Sequence, residues 1–218
     1  MRALAAFAVT ALAACAADPP DRGEVLIVGD SVMAWNRLSG QSVGDVIAAE
    51  TGLAVANAAV PGAGFLDGAP FAPIGTQYAD APGRRTVVIA GGANDLRGTC
   101  GCESGCAPVL DALISGGEGA IPDAARRALS DGADVILVGY YSAPVGGGPF
   151  SVCSEELGDL DARLAAFAEA TDGVRFVDPD DAIDPARTSL YDDDRTHPSP
   201  EGSARIGALI AAEIAEDS

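Results

Sequence analysis

A serine stands at the end of Gly29-Asp30-Ser31, and the only histidine of the chain closes Asp194-Arg195-Thr196-His197 near the other end. Ester hydrolysis needs a nucleophile, a base to take its proton, and donors for the oxyanion that develops. Ser31 is the candidate nucleophile and His197 the candidate base and later acid. Asp194, three residues before His197, can reach the far ring nitrogen and hold its tautomer. Asp192 and Asp193 are its neighbours, but the i to i+3 turn favours Asp194 and leaves the other two as solvated carboxylates. Two further turns carry polar groups. One is Asn57 followed by Pro61-Gly62-Ala63-Gly64, where a glycine lets the backbone approach a bound atom closely with its N–H. The other is Gly92-Ala93-Asn94-Asp95, with an amide donor in Asn94. Trp35, one turn beyond Ser31, is a candidate wall of the acyl or leaving-group pocket.

The elements that must position these residues alternate between strand and helix. Strand-like apolar runs cover Val25–Val28, Leu53–Val60, Thr86–Ala90, the Val-Ile-Leu-Val stretch within Asp134–Tyr140, and Val174–Val177. Helical spacing covers Ser42–Glu50 (closed by Gly52), Ile121–Leu129, Glu155–Thr171 and Ser203–Ala215. Strands that read as continuous apolar runs separated by helices predict a parallel sheet covered on both faces. In such sheets function sits in loops beyond the carboxyl ends of the strands. Each polar block above falls in such a loop.

Taken in order, Gly-Asp-Ser, Gly, Gly-x-Asn-Asp and Asp-x-x-His resemble the four blocks of the SGNH (GDSL-type) hydrolase family, with the match running from about Glu24 to Ala212. The resemblance implies a single-domain three-layer α/β/α sandwich over residues 24–216, with a central parallel five-stranded sheet of flavodoxin-like type. It implies an oxyanion hole built from the Ser31 N–H, the Gly62 N–H and the Asn94 side chain. It also implies a carboxylic ester hydrolase that needs no cofactor and no metal. A small-acyl esterase is the expected activity. Polysaccharide O-acetyl esterase and lysophospholipase or thioesterase are the alternatives, and a surface carbohydrate-binding module on the same scaffold is the non-enzymatic one. The partner is a small-molecule or glycan ester, and a monomer is expected.

The remaining composition narrows the field. The 218 residues suffice for one domain with a full core, and 48 % hydrophobic with 21 % charged content is that of a folded protein. All 13 basic residues are Arg, against 32 acidic ones, for a net charge of −19. Without lysine there is no Walker A lysine, Schiff-base lysine or Ser-Lys dyad, and so acidic a surface repels nucleic acid. Gly62-x-Gly64 lacks the third glycine of a dinucleotide loop, and no serine sits in a G-x-S-x-G elbow. Residues 1–14 read as a signal peptide, with Arg2 ahead of an apolar stretch too short to span a bilayer. Leu12-Ala13-Ala14-Cys15 resembles a lipobox, with cleavage before Cys15 and lipid on its thiol. The same small residues also suit ordinary secretory cleavage. Residues 15–23 would be a short linker. Export favours two disulfides among Cys100, Cys102, Cys106 and Cys153 over a zinc site. A Cys100–Cys102 ring is disfavoured as too tight, and the connectivity otherwise stays open.

Overall fold

A computed structural model describes residues 24–67, 73–78, 84–103 and 105–216. The expected leader, the linker and Cys15 lie outside the described residues. Strands β1 (Val25–Val28), β2 (Val55–Asn57), β3 (Thr86–Ala90), β4 (Asp134–Val138) and β5 (Val174–Val177) form one sheet in the order β2-β1-β3-β4-β5. Every pairing is parallel. Parallel neighbours need crossovers: helices α1 (Ser31–Ala34) and α2 (Val43–Thr51) lie between β1 and β2, α3 (Ala93–Thr99), α4 (Ala107–Leu113) and α5 (Ala120–Ser130) between β3 and β4, and α6 (Ser154–Glu169) between β4 and β5, while α7 (Pro200–Ala215) follows β5.

Alternation along each strand divides the core in two. Leu26, Val28, Val87, Ile89, Val135 and Leu137 face one layer of helices and pack with Leu113, Ile121 and Leu160. Val25, Ile27, Val88, Ile136 and Val138 face the other and pack with Ile47 of α2 and with Ile206 and Ile210 of α7. Helices on both faces of a five-stranded parallel sheet make this a single three-layer α/β domain, as the apolar strand runs imply.

The departures are local. Strand β2 is shorter than the apolar run Leu53–Val60, although the N–H groups of Ala58 and Val60 still donate to the carbonyls of Ile27 and Gly29. The chain thus follows β1 to its end without keeping regular strand geometry. Helix α7 begins at Pro200 rather than Ser203, because Ser199 caps it by accepting the Gly202 N–H at 3.2 Å. Helices α1, α3 and α4 have four to seven residues, too few to display a 3.6-residue period.

All four cysteines of this region are paired. Cys100 and Cys106 close the loop between α3 and α4, and Cys102 joins that loop to Cys153 at the start of α6. This is one of the arrangements left open by the sequence, and it leaves no free thiolate for zinc. No helix among the described residues is long and apolar enough to cross a membrane.

Candidate active site

The strand order reverses between β1 and β3, and a crevice opens there beyond their carboxyl ends. Ser31 is delivered to that crevice by the turn after β1. A Cβ on Gly29 would stand 2.7 Å from the carbonyl oxygen of Ala90, so no side chain fits where the turn crosses β3. Asp30 caps α1 by accepting the Val32 N–H at 3.0 Å. Ser31 is then the first residue of α1, where a backbone N–H has no partner within the helix.

The loop before α7 carries the second group. Its turn passes through Arg195 in the left-handed region at φ 57°. That geometry lets one carboxylate oxygen of Asp194 accept the N–H groups of Thr196 and His197 at 2.9 and 3.0 Å, while the other meets His197 Nδ1 at 2.5 Å. The opposite ring nitrogen, Nε2, lies 2.8 Å from Ser31 Oγ. Burial pushes the Asp194 carboxyl up. The donors from His197 and Thr196 outweigh it and hold the group below the usual carboxylate range. The loop is also tied from outside. Tyr141 OH donates to the Thr196 carbonyl at 2.7 Å, and the Arg195 guanidinium donates to the carbonyls of Gly147 and Val145 at 2.7 and 2.8 Å.

Asn94 lies in the first turn of α3, and its side-chain amide donates to the Ala63 carbonyl at 2.9 Å. An amide nitrogen has two hydrogens, so one is left for the cavity that Asn94 lines together with Ser31. Gly62, at φ 79°, precedes Ala63 in the same turn, though it is not among the residues lining that cavity. The buried carboxylate of Asp95 completes the connection by accepting the N–H groups of Phe65 and Leu66 at 3.0 and 2.7 Å. Adjacent residues of α3 therefore hold the glycine turn at two points.

Nothing in the sequence marks Tyr140, two residues beyond the end of β4. Its hydroxyl donates to Asp30 at 2.6 Å and accepts the Ala93 N–H at 3.1 Å. It thus links the start of α1 to the start of α3. Burial raises the Asp30 carboxyl despite the Tyr140 and Val32 donors. No spacing rule could have found this contact, since its partners belong to three separate strand ends.

Trp35, like His197, is not among the residues that line the cavity. Its ring lies on the ring of His197, and its Nε1–H donates to Asp192 at 2.7 Å. Asp192 is accordingly half-buried and bonded rather than solvated; Asp193 is exposed.

The cavity itself has a volume of about 120 Å³. Its walls include Tyr141, Pro144, Phe150, Leu157 and the half-buried Asp161. Both carboxylate oxygens of Asp161 accept the Tyr140 N–H, at 3.1 and 3.3 Å. Burial, with Asp178 and Asp180 nearby, pushes this carboxyl up to about 7 against the effect of that donor. Between pH 4 and 7 the folded state thus holds a proton that the unfolded chain releases, so stability falls as pH rises through this window. The full displacement corresponds to at most about 4 kcal/mol, which the water of an open cavity screens. Asp161→Asn should therefore stabilise the fold by about 1–2 kcal/mol at pH 8 and leave it unchanged at pH 4. Thermal melts at the two pH values check this, and equal shifts at both would refute it.

The sequence from Ile27 to Arg205 matches the family model for the GDSL-like lipase/acylhydrolase family. A search of the curated proteins gave no match. Among solved structures, the fold is similar to that of a carbohydrate acetylesterase from Sinorhizobium meliloti, with a TM-score of 0.62, 18 % identity, and coverage of 89 % of this chain and 99 % of that one. It is also similar to the inhibitor-bound aryl esterase of M. smegmatis, with a TM-score of 0.65, 14 % identity, and coverage of 88 % and 98 %. A protein from Lactobacillus plantarum aligns with a TM-score of 0.67 at 19 % identity, over 89 % of this chain and 97 % of that one. With the family model spanning most of its length, the chain belongs to the GDSL-like lipase/acylhydrolase family and, with it, to the carboxylic ester hydrolases.

Proposed function

We propose that the chain is an exported serine esterase for short acyl groups, with Ser31 as nucleophile, His197 as base and acid, and Asp194 as the group that orients His197. The contact of Ser31 Oγ with His197 Nε2 at 2.8 Å, at the edge of the 120 Å³ cavity, carries the reading. Ser31 Oγ attacks the ester carbonyl as its proton passes to Nε2. The carbonyl oxygen takes the negative charge and receives the N–H groups of Ser31 and Gly62 and the free amide hydrogen of Asn94. The imidazolium then protonates the leaving alcohol, and a water repeats the sequence on the acyl-enzyme. Asp194 stays ionised throughout, since it is held below the usual carboxylate range.

The size of the cavity supports a short acyl chain. At 120 Å³ it is well below the roughly 300–1,000 Å³ of pockets that enclose drug-sized ligands. Its carboxylates Asp161 and Asp180 disfavour an acyl group that is itself anionic. Two disulfides support an oxidising compartment, and hence export. The lipobox-like Leu12-Ala13-Ala14-Cys15 supports a lipid anchor on Cys15. The similarity to a carbohydrate acetylesterase favours acetylated glycans as the second substrate class. A panel of nitrophenyl esters from acetyl to palmitoyl, with acetylated xylan alongside, tests the reading. kcat/KM should be highest for acetyl to butyryl and collapse beyond. A maximum at long chains would overturn it.

A further inference from the structure

We propose that Trp35, anchored by Asp192, is a positioning residue that holds the His197 imidazole in line between Asp194 and Ser31 and stacks on the imidazolium that forms when it takes the Ser31 proton. The inference rests on the Ser31–His197–Asp194 reading given above. The two ring planes are 9° apart with centroids at 3.7 Å, so indole and imidazole overlap face to face. Two neutral rings avoid such overlap and settle in offset or edge-on pairs at 4.5–7 Å. An imidazolium, in contrast, is attracted to the negative face of an indole. His197 is charged while it holds the proton taken from Ser31, around the tetrahedral intermediate. The stack is then stronger in the transition state than at rest, which is the condition for accelerating a step.

Asp192 fixes both halves of the stack. Its Oδ2 accepts the indole N–H at 2.7 Å, and its own backbone N–H donates to the carbonyl of His197 at 2.8 Å. Its Oδ1 is held by the N–H of Asp193 at 2.8 Å. One residue thus sets where the indole lies and where the histidine backbone lies, and with them the overlap of the rings. A carboxylate on the indole N–H also adds electron density to the face that meets the imidazole. The other carboxyl groups around the pair are Asp194 at the ring edge and Asp30 beyond Ser31. The Arg195 guanidinium is turned away, onto the carbonyls of Val145 and Gly147.

The chain contains one tryptophan and one histidine, so intrinsic fluorescence reports on this contact directly. A protonated imidazole quenches an indole that it touches. Fluorescence of the full chain should fall in one step as the imidazole takes its second proton, and that step should vanish in His197→Gln. In kinetics on p-nitrophenyl acetate, Trp35→Ala should lower kcat by about 30-fold with KM held within about 2-fold. Trp35→Phe keeps a stacking face and should recover most of that loss. Asp192→Asn keeps an acceptor for the indole but not the charge, and should lower kcat by about 3- to 10-fold. In the Trp35→Phe background, which lacks the indole N–H, the same change should cost much less. Asp193→Asn is the exposed control. A flat fluorescence titration, a rise in KM with kcat unchanged, or independent effects of Trp35 and Asp192 would each overturn the proposal. If Ser31→Ala retained activity while the fluorescence step persisted, the nucleophile assignment would fail and the ring contact would stand.

Discussion

Ser31→Ala is expected to lower kcat for p-nitrophenyl acetate by about 10⁵- to 10⁶-fold, the loss seen when a serine nucleophile is removed from a comparable triad. The folded state should be almost unaffected. Among the described residues the Ser31 hydroxyl makes its hydrogen bond to His197 alone, while the turn that presents it is held by the Asp30 cap and by Tyr140. The variant keeps its backbone N–H and the Asn94 amide, so a small residual rate over water should persist from oxyanion donors alone. Steady-state kinetics together with circular dichroism separate the two effects. A serine-directed phosphonate should label the parent at Ser31 and leave the variant unmodified. Parent-level hydrolysis by Ser31→Ala, with or without labelling elsewhere, would overturn the assignment.

Asp194→Asn should lower kcat by about 10²- to 10⁴-fold. The asparagine oxygen can still accept the N–H groups of Thr196 and His197, so the turn survives. What is lost is the charged acceptor at Nδ1, and an amide placed there can bind the wrong tautomer of the ring. The pH dependence follows from the direction of the Asp194 shift. Its interactions in the folded state are fully present above the unfolded carboxylate value and are lost as pH falls through its lower, folded value. Protonation of Asp194 itself therefore matters only in acid, below the usual carboxylate range, and Asp194→Asn should reduce the rate throughout the neutral range. Asp193→Asn should change kcat by no more than about 3-fold, and mostly at low salt. Equal damage from both substitutions would mean that the turn before His197 is built differently.

How far the sequence could be read differs from residue to residue, for physical reasons. Val25–Val28 and Thr86–Ala90 are legible because both faces of each strand are buried, which leaves a run of apolar residues. The turns after them are legible because Gly29 and Gly92 punctuate them, so Ser31 and Asn94 stand out at strand ends. Helices α1, α3 and α4 are not legible, since each is shorter than two full turns. The cysteine pairing is not legible in full, because two connectivities remain once the tight Cys100–Cys102 ring is set aside. Tyr140, Asp95 and Asp192 act through partners far away in the chain, and only the folded arrangement shows them. Trp35 was visible as an aromatic one turn from the serine. That its face is taken by His197 depends on a loop more than 150 residues away.

The groups proposed to react come from scattered strand ends, but most of the cavity wall comes from one continuous stretch, Tyr140 to Asp161. That stretch is fastened at its middle by Cys153 and braced at its beginning by the Arg195 guanidinium. The proposed chemistry and the proposed acyl preference thus fall in separable parts of the chain. A designer seeking a wider substrate range could exchange residues 142–158 as a cassette, keeping Cys153 and the carbonyls that Arg195 grips, without touching any of the four polar turns.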